Sequence, residues 1–142
     1  MAARRPELSK RPLSRVVVDT SVVSYLLKEH SLAGPYLELL RGRILGLSFM
    51  SLGELYRWPL ERAWGPQKLE ALREHLVGYV VLDSDADICR QWARIMSRKG
   101  RPVSIQDAWI AATAIRYDCP VVTHNVREFS SIEGLTVLTV PE

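Results

Sequence analysis

The chain has 142 residues, of which 47% are hydrophobic and 25% charged, with a formal net charge of +3. That is enough for one domain with a proper core and is ordinary for a soluble globular protein. Charges or turn residues break every apolar run well short of a membrane span, and the two cysteines, Cys89 and Cys119, show neither metal spacing nor disulfide-scaffold density, so they read as reduced thiols of a cytoplasmic protein.

Residues 1–15 read as a flexible basic arm and residues 16–142 as a single domain. The arm holds Arg4, Arg5, Lys10, Arg11 and Arg15 against one acid, Glu7, a net of +4; the rest holds 14 basic and 15 acidic residues, a net of −1. The body is therefore not a basic protein. With Pro6, Ser9 and Pro12, the arm has the composition of a solvated segment, which can touch a nucleic-acid backbone or do nothing. It lacks the apolar stretch of a secretory signal.

Beyond the arm, short β-branched runs alternate with helical patterns. Strands are predicted at 16–19, 44–48, 79–82, 121–123 and 136–140, and helices at about 20–29, 35–41, 51–62, 66–76, 86–99 and 105–117. Such alternation predicts an α/β fold of three layers, α/β/α, with a mainly parallel central sheet. Val16-Val17-Val18 and Val121-Val122 are continuous apolar runs, the pattern of central strands covered on both faces. Gly34-Pro35 and Gly65-Pro66 mark helix starts, and Gly100-Arg101-Pro102 ends one helix before Ser104 can cap the next.

Three acids stand beside these apolar segments. Asp19 ends the first valine run, Glu54 lies between apolar neighbours, and Asp107 opens a helix whose next eight residues, Ala108 to Ile115, carry no charge. A lone carboxylate beside a core is costly unless a cation compensates it, and the stretches around Asp19 and Asp107 offer no Lys or Arg. A divalent metal ion answers that need, and carboxylate-held metals point to phosphate chemistry. In an open parallel sheet, ligands bind beyond the carboxyl ends of the strands, where Asp19, Thr123 and Asn125 all stand. Simpler roles compete. Asp19, Thr20 or Ser21 can cap a helix, and Ser104 with Asp107 makes a capping-box pattern. Glu54 points away from a face formed by Leu52, Leu55, Tyr56 and Pro59, where it can pair with Arg57.

Other patterns carry less. Asp83-Ser84-Asp85-Ala86-Asp87 resembles the start of a calcium loop, but Ile88 replaces the required Gly and Arg94 the required Glu, so it reads as a capped helix start. His30, His75 and His124 lack ligand spacing. Trp58, Trp64, Trp92 and Trp109 read as core or interface residues.

Four segments, in order, resemble the motifs of PIN-domain nucleases. They are Val16 to Ser21 with Asp19, Ser51 to Tyr56 with Glu54, Ser104 to Ala114 with Asp107, and Val122 to Phe129 with Thr123 and Asn125. Ile132 to Leu135 fits as well. Order and spacing are similar to those of VapC-type toxins of toxin–antitoxin pairs. The resemblance implies a compact α/β/α fold and a metal-dependent endoribonuclease. Asp19, Glu54 and Asp107 match the family's core acids, which would hold Mg²⁺ or Mn²⁺. Glu128 stands where many members have Asp and is expected among the catalytic acids, its longer arm reaching a metal directly or through water. Thr123 and Asn125 would orient carboxylates or the phosphate, and Thr20 or Ser21 would donate to the phosphate. The 15-residue arm departs from the pattern.

The resemblance also implies an RNA substrate, a VapB-type antitoxin as partner and a homodimer. Arg57, Arg98, Lys99, Arg101 and Arg127 are candidates for steering RNA to an acidic pocket, and Trp58, Trp64 and Leu60 for protein contacts. Two other readings stay open at this point. A phosphatase of the haloacid dehalogenase type also places Asp after its first strand, but needs a second Asp where this chain has Ser21. A non-cleaving RNA-binding or interaction module would keep the fold without the chemistry.

Overall fold

Valine-rich runs and the turn residues between them divide residues 14–141, the part of the chain described by the computed structural model, into five strands and seven helices. The expected arm lies outside the described residues, except for Ser14 and Arg15. In order the elements are β1 (Arg15–Val18), α1 (Thr20–Lys28), α2 (Ala33–Leu40), β2 (Ile44–Ser48), α3 (Phe49–Arg62), α4 (Pro66–Leu76), β3 (Tyr79–Leu82), α5 (Ala86–Ser97), α6 (Ile105–Arg116), β4 (Val121–Val122), α7 (Val126–Phe129) and β5 (Val137–Leu138). All strand pairs are parallel, in the order β3-β2-β1-β4-β5.

The valine run of β1 shows why the sheet is covered twice. Val16 and Val18 join a core with Val22, Val23, Tyr36, Leu55 and Leu72, from the helices between β1 and β3. Val17, between them, joins Ile88, Ile95, Ile110 and Phe129 on the other face. Period-two alternation thus serves two apolar layers, giving the expected three-layer α/β/α sandwich. Gly46 is closely packed inside β2, where a Cβ would stand 2.9 Å from Leu82 Cδ1 and 3.2 Å from the Val16 carbonyl oxygen.

Several boundaries differ from the sequence reading for local reasons. Helix α3 starts at Phe49, not 51, because Ser48 both ends β2 and caps α3, its Oγ accepting from the Ser51 amide at 3.1 Å. Helix α2 starts at Ala33 with Pro35 inside its first turn, where the missing amide proton costs little. The one-turn helix α7 is too short to show a period and was not predicted. Asp85 caps α5 by accepting from the Ile88 amide at 2.8 Å and pairs with Arg116 at 3.0 Å, the capped start expected of that acidic run.

After β1 the chain moves outward to β2 and β3, then returns to β4 on the opposite flank of β1. Connections leave β1 and β4 in opposite directions, which opens a crevice beyond their carboxyl ends. Asp19 follows β1 and Thr123 follows β4 at that crevice, and the Asp19 amide donates to the Val122 carbonyl at 2.9 Å.

Candidate active site

Asp19, Thr20, Ser21, Ser24, Tyr25, Glu54, Trp58, Asp107 and Asn125 line one pocket of about 350 Å³ at this crevice. Residues from four parts of the sequence meet there, and no Lys or Arg is among them.

Asp19 is only 5% exposed. Burial pushes its carboxyl above the usual range, opposed by hydrogen bonds from Thr123 and Ser21 and by the nearby Thr20 and Ser21 amides. Thr123 Oγ1 donates to Oδ2 at 2.7 Å, and Ser21 Oγ donates to the same oxygen at 2.9 Å. Asp19 occupies the N-cap position of α1 but its side chain makes no capping hydrogen bond to that helix.

Glu54 corrects the sequence reading. The buried row of α3 is Ser51, Leu55 and Pro59, with Glu54 and Trp58 beside it over the pocket; Tyr56 lies on the outer flank, 56% exposed. A buried serine at the centre of the face disguised its direction. Arg57 pairs with Glu61 at 3.4 Å instead. Thr20 Oγ1 lies 2.7 Å from Ser51 Oγ and 2.8 Å from Glu54 Oε1. A hydroxyl has one proton and a carboxylate only accepts, so Thr20 donates to Glu54 while Ser51 donates to Thr20. Ser48 Oγ, 3.3 Å from Ser51 Oγ, continues this line of hydroxyls into the core. The Thr20 and Ser21 hydroxyls are therefore both turned onto carboxylates.

Asp107 sits in the first turn of α6. The capping box expected there is half made: Ser104 Oγ accepts from the Asp107 amide at 3.1 Å, but the Ser104 amide donates to Glu128 Oε1 at 2.8 Å rather than to Asp107. The Asp107 carboxylate is thereby left for the pocket. Its pKa is raised to about 7, first by burial and then by the charges of Asp19 and Glu128. Glu128 is held below the usual range, chiefly by the Ser104 amide. Of the two, Glu128 keeps the charge and Asp107 takes the proton.

Asn125 Nδ2 joins this pair, 3.0 Å from Glu128 Oε2 and 3.4 Å from Asp107 Oδ2. Its amide donates to Thr123 Oγ1 at 2.9 Å. The loop is pinned from below by the buried Tyr36, whose hydroxyl lies 2.6 Å from His124 Nδ1, 3.1 Å from Thr139 Oγ1 and 3.3 Å from the Thr123 carbonyl oxygen. Tyr36→Phe removes the hydroxyl from these contacts. It is expected to destabilise the protein by about 1–3 kcal/mol in denaturant titration, and an unchanged midpoint would show the pin to be idle.

Glu128 does not line the pocket but stands at its rim, where the charge of Arg101 also reaches it. Arg98 is spent elsewhere, on the carbonyl and Oγ of Ser131 and the Arg101 carbonyl, and with Lys99 it lines a different cavity. Sequence reasoning missed Ser24, Tyr25 and Trp58 as pocket residues. Their spacing held the signal, since Ser24 and Tyr25 follow Ser21 by one helical turn and Trp58 follows Glu54 by one.

The donor set suits a hard cation. Three carboxylates face one pocket, no basic partner lies on its wall among the described residues, and Asp107 is driven toward neutrality by burial and then by the charges of Asp19 and Glu128. Among the described residues no three His, Cys, Asp or Glu side chains are gathered closely enough to cage an ion by themselves. An ion of the magnesium type does not need that, because it keeps several waters and takes only one or two carboxylates directly.

The family model for the PIN domain matches residues 16–135. Ribonuclease VapC1 of Haemophilus influenzae strain R2866 is 30% identical over 124 residues, covering 84% of this chain and 92% of that protein. Among solved structures, VapBC-1 from nontypeable Haemophilus influenzae matches with a TM-score of 0.74 at 28% identity, over 88% of this chain and 97% of that one. VapBC2 from Rickettsia felis, bound to a DNA fragment from its promoter, shares the fold with a TM-score of 0.79 at 23% identity, over 89% and 99%.

Proposed function

Because this chain belongs to the PIN-domain family, we propose that it is an endoribonuclease that hydrolyses RNA phosphodiester bonds with Mg²⁺ or Mn²⁺ and acts as the toxin of a VapBC-type toxin–antitoxin pair. The observation that carries this reading is the meeting of Asp19, Glu54 and Asp107 on one pocket whose wall, among the described residues, has no cation of its own. Likeness to a VapC ribonuclease over most of both chains gives the substrate class.

Asp19 and Asp107 would hold the ion, with Glu54 as a further ligand or as the group that positions a water. A bound ion would supply a water of lowered pKa and neutralise charge on the phosphate. Thr123 and Ser21 donate to Asp19 Oδ2 and so orient this carboxylate for the ion. Ser51 and Thr20 hold Glu54 in the same manner. Such supporting bonds orient ligands and cost about 10–100-fold in metal affinity or activity when removed.

Tyr25 and Trp58 supply an aromatic side to the pocket. Unstacked RNA bases bind such surfaces, at about 1–3 kcal/mol per base. Trp58→Ala is expected to raise the KM for RNA by about 5–100-fold with kcat less affected, read in steady-state cleavage of a labelled oligoribonucleotide; a loss confined to kcat would assign the ring another role. For the antitoxin, the supporting feature is an apolar groove of about 540 Å³ between α3 and α4, with Tyr56, Leu60, Leu69 and Val77 on its walls. Leu60 is 84% exposed, which suits it to a protein contact. Trp64 carries Lys68 over its ring at 5.4 Å, as Trp58 carries Arg62 at 5.2 Å.

The direct test is incubation of purified protein with RNA and Mn²⁺, beside an excess of EDTA and an Asp19→Asn control. Cleavage that needs the metal and Asp19 supports the reading. Retention of RNA without cleavage would favour a binding module, and cleavage undiminished in EDTA would remove the metal from the mechanism.

A further inference from the structure

Glu128 stands where the family resemblance expects a catalytic acid, yet its contacts describe another task. Both carboxylate oxygens are engaged by the protein itself. Oε1 accepts from the Ser104 backbone amide at 2.8 Å, and Oε2 accepts from Asn125 Nδ2 at 3.0 Å. Ser104 is the N-cap of α6, and its amide needs an acceptor from outside the helix. In a complete capping box that acceptor is the acid three residues on, which here is Asp107. Glu128 takes the place of Asp107 from across the fold. Asp107 keeps the other half of the cap, through its amide to Ser104 Oγ, and turns its carboxylate to the pocket.

We propose, on the reading of the site given above, that Glu128 is a positioning residue: it caps α6 at Ser104 and holds Asn125, so that Asp107 is free to serve the pocket, and it is not itself a metal ligand. The length of its side chain is the reason for Glu at this position. A carboxylate one methylene shorter retreats by roughly 1.5 Å, one carbon–carbon bond. That takes it beyond hydrogen-bond range of the Ser104 amide. Asp107 would then be drawn back into the capping box, away from the pocket. A glutamine reaches as far as Glu128 does, and its carbonyl oxygen can still accept from Ser104.

Two variants separate positioning from ligation, because the two roles rank them oppositely. Glu128→Gln keeps the length and loses the charge, whereas Glu128→Asp keeps the charge and loses the length. Each is assayed for kcat and KM on RNA, for the Mn²⁺ concentration giving half-maximal rate, and for Tm. Positioning predicts that Glu128→Asp lowers kcat by about 10–100-fold, the usual loss when a residue that orients a ligand is removed, and that Glu128→Gln loses distinctly less. A ligand role predicts the reverse order, with Asp active and Gln requiring more Mn²⁺, and that result overturns the proposal. A drop in Tm with kcat unchanged in both variants also overturns it, by making Glu128 a matter of stability alone. Amide exchange of Ser104, followed by NMR in metal-free protein, reads the cap without any RNA. Slow exchange kept in Glu128→Gln and lost in Glu128→Asp supports the proposal, and equal exchange in the two refutes it. If the wild-type protein cleaves no RNA, the nuclease reading fails while this measurement still decides the role of Glu128.

Discussion

Asp107→Asn is expected to lower RNA cleavage by about 10²–10³-fold or more, the scale seen when one electrostatic stabiliser of a reacting group is removed, and yet to raise the melting temperature of the metal-free protein at pH 8. The two effects share one cause. Without an ion, Asp107 is half-buried near the charges of Asp19 and Glu128, and its pKa is raised to about 7. The folded state then binds a proton that the unfolded state has released over the window from pH 3.8 to about 7. Stability carried by that proton is complete below the unfolded value and is lost as pH rises through the folded one. At pH 8 the folded state carries the whole penalty, at most ~4 kcal/mol and less because the carboxylate keeps some contact with water. Asparagine has no charge to bury and can donate to Glu128 as protonated Asp107 does. Thermal unfolding in EDTA at pH 5 and pH 8 reads the effect, and the gain from the substitution should be larger at pH 8. A variant that is inactive and also less stable at pH 8 would mean that Asp107 serves the fold, as an ordinary capping acid does.

Millimolar Mn²⁺ is expected to raise the melting temperature of the wild-type protein at pH 8 and to do little at pH 5.5. A ligand present at 100 times its dissociation constant stabilises by ~2.7 kcal/mol, which for a domain of this size is roughly 5–10 °C. Below pH 7 the ion must first displace the proton on Asp107, so its affinity falls with pH. In Asp107→Asn the shift should nearly vanish at both pH values. Equal shifts at pH 5.5 and pH 8, or an undiminished shift in Asp107→Asn, would place the ion elsewhere. Activity follows the same sequence, rising with pH through neutrality in limiting Mn²⁺ and ending in EDTA.

The parallel three-layer architecture was legible because β1 and β4 have no polar alternation, and only a strand covered twice can dispense with it. Asp19 and Asp107 were legible for a related reason: each is an acid at the edge of an apolar run, and such a group has to be compensated. Glu54 was not. Its direction depends on Ser51 lying at the centre of the buried face of α3, and a serine reads as surface until α1 is seen to cover it with Thr20. Arg98 was a candidate for steering on its charge alone, and its donors to the backbone and side chain of Ser131 were not legible in the sequence.

Residue types and their order determined that this chain folds as a parallel α/β domain with carboxylates beyond its strand ends, because burial energetics act on each segment where it stands. Which hydroxyl holds which carboxylate, and which acid caps α6, was decided only when β4 returned beside β1. Contacts such as Thr123 to Asp19, 104 residues apart, and Ser104 to Glu128, 24 apart, follow from strand order and helix placement. Hydrogen bonds of that kind reach about 3 Å and leave no period in a sequence.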